Sequence, residues 1–422
     1  MPVAPLMMKA VEVLQRNSRG AFTVPAHGLY PYQWLWDSAF IALGWTQVDW
    51  ERAWQELLCL FDYGQGPDGM LPHIVFHEQS RDYFPGPDVW GREARAQPAT
   101  SGITQPPVVA TVVRYLYEKD PDRDRARSRA RYLFPKLLAY HRWLYHARDP
   151  YRTGLVVIVH PWESGMDNSP AWDKPLSRVP VENLPPYERR DVKHVNPEER
   201  PRKEDYDRYL SLLYLFRRLE YDPRGIYRQS PFKVVDVGFN AILQRANRDL
   251  YALAVLLQED PYEIEEWIVR GEVGLEALWD REAGFYFSWD LVAGEPIAVK
   301  TSAGFLPLFA GTPHQGRASL LAQEAERWGE KARYLLPSVD PTSPFFEPGR
   351  YWRGPVWINV NWMVAEGFRD YGFAALAARL KADALALMER EGFREYYDPL
   401  TGQGRGGEGF SWSAALALFW TR

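Results

Sequence analysis

The residues of this chain with the most chemical potential are carboxylates set beside tryptophans. They recur in stretches rich in Asp, Gly and Pro: YPYQWLWDSAF (30–40), GPDGMLPHIVF (66–76), FPGPDVWG (84–91), SGITQPPVV (101–109), HPWESGMDNSPAWD (160–173), YWRGPVWINVNW (351–362) and FREYYDPLTG (393–402). An aromatic ring covers the C–H face of a sugar, and a neighbouring carboxylate reaches a hydroxyl or the glycosidic oxygen. Hydrolysis of a glycoside needs one carboxyl to protonate the leaving oxygen and a second carboxylate to activate water or attack carbon. Their separation in sequence is immaterial, provided both loops lie at one end of the fold. Asp37, Asp68, Asp88, Glu163, Asp167, Glu347, Glu395 and Glu408 are the candidates, with Tyr30, Trp36, Trp162 and Tyr351 as ring partners. For any one loop, an Asp capping a helix and a Trp filling the core is a sufficient account. For seven loops together it is a weaker one.

Other chemistries find less support. The chain has no GxSxG elbow, no P-loop and no dinucleotide glycine fingerprint. His73 and His77 flank a strand-like Ile-Val-Phe, and His141 and His146 are five apart, off a single helical face, so neither a metal site nor a cofactor is expected. The single cysteine, Cys59 in the core-like WQELLCLF, precludes an internal disulfide. Lys plus Arg number 50 against 55 Asp plus Glu, for a net charge of −5, which disfavours nucleic acid or an anionic membrane as partner. The longest apolar stretch, 209–216, falls far short of a membrane span, and Glu12 and Arg16 interrupt any export signal. The expectation is a soluble, cytoplasmic protein acting on a small molecule, with oligomeric state left open.

The elements that position these loops read as helices. Phe373–Arg390 carries Leu376, Leu380, Ala384 and Leu387 at helical spacing, with Gly392 as a C-terminal cap. Asp205–Leu219 is apolar on nearly every face, the pattern of a helix buried all round. Asp49–Tyr63, Pro107–Glu118, Asp122–His146, Val234–Leu257, Glu263–Leu278, Ala318–Trp328, Val356–Tyr371 and Ser411–Trp420 complete the set, and strand patterns are confined to short runs such as 73–77 and 154–160. An acidic turn followed by glycine returns between them, from Asp149 to Gly154, Asp222 to Gly225, Asp280 to Gly284 and Asp398 to Gly402. The pattern predicts an all-α fold: one toroid of paired helices spanning residues 1–422, with long loops over one end. Residues 176–204, polar and rich in Pro, Arg and Glu, are read as a lid.

SGITQPPV, WESGMDNSP, YWRGPVW and EYYDPLTG, in that order along the chain, resemble glycoside hydrolase family sixty-three from about Tyr30 to Trp412. The resemblance implies an (α/α)6 barrel and hydrolysis with inversion of configuration. Asp167 would be the general acid and Glu395 the general base, while Asp37, Gln105, Trp352 and Arg353 match positions that hold the sugar. In its compact layout the chain is similar to the mannosylglycerate and glucosylglycerate hydrolases, which release glycerate from a small anionic solute. Arg208, with Tyr214 six residues on, resembles their glycerate-binding pattern; Asp205 and Asp207 are competing partners for that arginine. An α-glucosidase or trehalase-like enzyme acting on a neutral disaccharide is the neighbouring reading, and a non-catalytic sugar-binding protein a remoter one.

Overall fold

In a computed structural model of the chain, residues 3–94 and 97–421 are described. Six helices form a closed inner ring: α2 (Leu35–Trp45), α4 (Val109–Lys119), α7 (Val237–Leu257), α9 (Pro307–Ala310), α11 (Ile358–Asp370) and α13 (Ser411–Trp420). Each packs on the next, and α13 packs back on α2. An outer helix accompanies each in sequence: α1 (Val3–Asn17), α3 (Trp50–Gly64), α5 (Arg123–Arg148), α8 (Tyr262–Ala277), α10 (Gln315–Lys331) and α12 (Ala374–Glu391). The architecture is the (α/α)6 barrel. One further long helix, α6 (Lys203–Arg218), is inserted after the polar segment 176–204. Among the described residues, no helix is long and apolar enough to cross a membrane.

Helices α2 and α13 are apolar on nearly all sides because they have neighbours on all sides. Every residue of α2 and of α13 is buried. Their crossing is tight enough that a Cβ on Gly44 would lie 2.4 Å from the Cα of Ala415. Asn17, at the end of α1, locks the closure by donating to the Gly409 carbonyl at 2.8 Å and to the Ser411 hydroxyl at 2.9 Å. The repeated acidic turns are real: Asp149 accepts from the amides of Thr153 and Gly154, Asp222 from that of Gly225, and Asp398 from that of Leu400.

Several expectations are corrected. Residues 35–45, read as a loop, form α2, which is buried all round and has no polar face to give it a period; residues 3–17, left unassigned, form α1. The helix expected from Val234 starts at Val237, since Val234 and Val235 pair with Asp290 and Trp289 as a strand and Asp236 caps the helix. In 154–160 only Ile158 makes a bridge, to Val234. Helix α6 is buried on one side only, through Tyr206, Tyr209, Leu210, Leu212, Leu213 and Phe216. Residues 394–397, read as loop, are a strand.

Two small sheets carry loops to one end of the barrel. β1 (Gln33–Trp34), β2 (Ile74–Phe76) and β3 (Ala99–Thr100) pair antiparallel in that order, with Trp34 opposite Ile74 and Phe76 opposite Ala99. β4 (Arg394–Tyr397) and β5 (Gly404–Glu408) form a bulged hairpin.

Candidate active site

The loops at this end enclose a cavity of about 70 Å³, with Asp37, Asp167 and Glu395 in its wall. Asp37 comes from the first turn of α2, where the β1 crossover turns inward. It is 5% exposed, and burial, reinforced by the charge of Glu395, holds its carboxyl well above the ordinary range.

Asp167 stands at a loop tip whose conformation is set by its neighbours. Gly165 adopts φ +69°, and a Cβ there would meet the Trp36 ring at 2.4 Å, so glycine is required on both counts. The Tyr209 hydroxyl donates to the Asp167 carbonyl at 3.1 Å. The next residue is held twice: the Trp352 amide donates to the Asn168 side chain at 2.9 Å, and Arg353 donates to its carbonyl at 3.2 Å. A capping role for Asp167 is not what the structure contains, because Ser169 caps the short helix that follows. Burial raises the Asp167 carboxyl to about 7, opposed by the charge of Arg200 and reinforced by that of Glu395. A carboxyl so shifted is protonated near neutrality and able to act as an acid.

Glu395 lies on β4, just past the Gly392 cap of α12. It is 2% exposed. Its oxygens accept from the Tyr30 hydroxyl at 2.6 Å, the Gly407 amide at 3.0 Å and Arg200 Nη1 at 3.4 Å. Gly406, at φ +66°, has no room for a Cβ, which would fall 2.4 Å from Tyr396 and 2.7 Å from the Glu395 carboxylate. The neighbouring Arg394 pairs with Glu408 and leaves Glu395 to these partners. Glu395, ringed by donors, and Asp167, with its raised carboxyl, lie in the wall of one cavity, the two kinds of carboxyl that acid–base hydrolysis uses.

Of the expected site residues, Tyr30, Trp36, Asp37, Gln105, Trp162, Asp167, Tyr351, Trp352 and Glu395 line this cavity. Arg353, Arg208 and Tyr214 do not. Arg353 lies behind the wall, making two bonds to the Asp173 carboxylate at 2.7 and 2.8 Å and one to Glu347 at 2.7 Å. Its bond to the Asn168 carbonyl braces the Asp167 loop. Arg208 donates to the Glu204 carbonyl one turn back, and Tyr214 borders a separate surface groove. The remaining carboxylate candidates have other work: Glu163 is buried against Arg148, Glu347 binds three arginines, Asp68 holds a turn, and Asp88 is exposed.

The cation in the cavity is Arg200, 4% exposed, which sequence reasoning missed. Its guanidinium lies 4.1 Å from the Tyr351 ring centre and donates to the Tyr30 hydroxyl at 3.0 Å. Tyr206, six residues on, also lines the cavity, so the Arg–Tyr spacing expected at 208 and 214 is present one step earlier. A signal existed. Residues six apart on a helix point about 120° away from each other, so Arg208 and Tyr214 could not converge, whereas Arg200 precedes α6. His73, Tyr83, Asp191, Trp357, Phe410 and Trp412 also line the wall. The polar segment 176–204 contributes Asp191 and Arg200 and is pinned across the opening. Tyr187 stacks on Phe84 at 5.4 Å, Tyr396 donates to the Glu199 carbonyl at 2.6 Å, and Arg350 donates to that of Arg200 at 2.8 Å.

Comparison with known proteins agrees with this geometry. Residues 30–413 match the mannosylglycerate hydrolase MGH1-like glycoside hydrolase domain. A mannosylglycerate hydrolase of Selaginella moellendorffii is 52% identical over 97% of this chain and 84% of its own length. A glucosylglycerate hydrolase of Mycolicibacterium hassiacum is 36% identical over 98% of this chain and 97% of its own. A crystal structure of a family sixty-three mannosylglycerate hydrolase from Thermus thermophilus, in complex with Tris and D-glycerate, superposes with a TM-score of 0.98 at 98% identity. That match covers 99% of this chain and 100% of the other.

Proposed function

This chain belongs to the mannosylglycerate hydrolase MGH1-like glycoside hydrolase family, and on that premise we propose that it hydrolyses mannosylglycerate to mannose and glycerate. The single observation that carries the substrate class is Arg200, a guanidinium buried in a cavity whose other charged side chains are carboxylates. A neutral disaccharide offers such a charge nothing; a glycerate carboxylate offers it a charge-assisted pair. The matched glucosylglycerate hydrolase supports glucosylglycerate as a second substrate.

In the proposed reaction, protonated Asp167 gives its proton to the glycosidic oxygen as the bond to the anomeric carbon breaks. Glu395 takes a proton from a water that attacks that carbon from the opposite face. Hexose of inverted anomeric configuration and glycerate leave, with Asp167 ionised and Glu395 protonated until the proton returns. Trp36, Trp162, Tyr351 and Trp352 supply ring faces, and Asp37 and Gln105 supply hydroxyl partners. Segment 176–204 contributes Asp191 and Arg200 to the cavity wall, which supports its reading as a lid. The charge of −5 and the absence of an apolar span among the described helices support a cytoplasmic enzyme with a small-molecule partner.

The test is release of glycerate from mannosylglycerate and glucosylglycerate, with trehalose as the neutral control. Proton NMR of the fresh hexose reads its anomeric configuration. Turnover with inversion, lost in Asp167→Ala and Glu395→Ala, is expected. Turnover of trehalose alone would overturn the substrate, and retention would overturn the roles of the pair.

A further inference from the structure

One buried carboxylate of the cavity wall has no part in the reaction just described. Asp191 is 9% exposed and sits between two arginines of the segment 176–204. Its Oδ2 accepts from Arg200 Nε at 3.0 Å and from Arg189 Nη2 at 2.6 Å, and its Oδ1 accepts from Arg189 Nε at 3.1 Å. Arg189 is itself fixed, donating to the Pro201 carbonyl at 2.7 Å and lying 4.0 Å from the centre of the Tyr206 ring. The Asp191 carbonyl accepts from the amides of His194 and Val195, so its backbone is held in a short turn as well.

The consequence falls on Arg200. A free arginine side chain has many rotamers, and binding an anion through it means losing them. Asp191 takes the Nε edge, and the Tyr351 ring takes one face. The guanidinium is left in one orientation, with Nη1 directed to the Tyr30 hydroxyl and Glu395. The ordering cost is met on folding, by the protein, before a ligand arrives.

We propose that Asp191 is a positioning residue that sets the preference for an anionic aglycone by holding Arg200 in its binding orientation, with Arg189 as the outer brace. The inference rests on the assignment of a glycerate glycoside as substrate. It assigns Asp191 no contact with substrate and no proton to move.

The test compares mannosylglycerate with its carboxamide analogue, which has the same shape and no charge. In wild type, Asp191→Asn, Asp191→Glu and Arg189→Met, the reading is the ratio of kcat/KM for the acid over the amide. Asp191→Asn is expected to lower that ratio at least tenfold, through KM for the acid, with kcat on the amide within about threefold of wild type. Asp191→Glu, which keeps the charge, is expected to recover part of the ratio, and Arg189→Met to lower it less. A fold-supporting role alone would depress both substrates together. A ratio within twofold of wild type in Asp191→Asn therefore overturns the proposal. If that variant does not fold, an unchanged ratio in folded Arg189→Met overturns it equally. Failure of wild type to hydrolyse mannosylglycerate would refute the functional assignment itself, and the inference with it.

Discussion

In Asp167→Asn the proposed acid is exchanged for an amide of the same shape, and activity and stability should move in opposite directions. Burial raises this carboxyl from 3.8 to about 7. A shift of about three units corresponds to roughly 4 kcal/mol, an upper bound because the side chain retains some exposure to the cavity. The sign follows from linkage. The folded carboxyl holds its proton more tightly than the unfolded one. Wild-type stability therefore falls as pH rises from 3.8 towards 7 and is flat above. The amide has no such dependence, so the variant should match wild type near pH 4 and exceed it by about 2–4 kcal/mol at pH 8. Its kcat should fall about 10²–10⁴-fold, the usual contribution of a general acid. Wild-type kcat/KM should decline tenfold per pH unit above about 7, as the acid loses its proton. Urea midpoints at the two pH values and a pH–rate profile are the assays. A stability difference that is the same at both pH values would refute the reasoning, since the carboxyl would then titrate at its ordinary value.

Three further outcomes are expected. Arg200→Met should raise KM for mannosylglycerate about a hundredfold while Arg208→Met stays within about threefold, the range of a buried charge-assisted pair against an exposed contact; equal effects would return the anion site to 208. Gly165→Ala places a Cβ 2.4 Å from the Trp36 ring at φ +69°, so a loss of about 2 kcal/mol or more in unfolding free energy and a marked fall in kcat should appear together. Arg353→Met frees the Asp173 and Glu347 carboxylates and the carbonyl beside Asp167. Because both carboxylates are partly exposed, about 2 kcal/mol is expected rather than the full penalty of a buried pair, with kcat reduced and KM little changed in steady-state kinetics.

The residue types alone left eight carboxylates open, and it was the resemblance that singled out Asp167 and Glu395. The tight turn at Gly165 and the helix cap at Gly392 agree with that choice without making it. What was not legible depends on orientation. Arg353 adjoins Trp352, yet one lines the cavity and the other points behind it, a difference set by the Asp173 carboxylate rather than by the local motif. The two Arg–Tyr pairs, 200/206 and 208/214, are indistinguishable as spacing. Only the start of α6 at Lys203 separates them. For the fold, the stripe Leu376, Leu380, Ala384 and Leu387 marked α12, whereas α2, buried all round, has no such period and was mistaken for a loop.

The lock between Asn17 and Ser411 joins residues 394 positions apart, and it bears on how the molecule comes into being. During synthesis α2 emerges early, carrying eleven residues destined for burial. The helix that covers it, Ser411–Trp420, is made last of the ring. For most of translation that surface has no native cover, the circumstance in which nascent chains engage chaperones or one another. Contacts so distant also slow the final step, since a long loop must close before it is rewarded. The hairpin bearing Glu395, with Phe410 and Trp412, arrives in the same late stretch. Ring closure and assembly of the proposed acid–base pair therefore both wait on the same late stretch of synthesis.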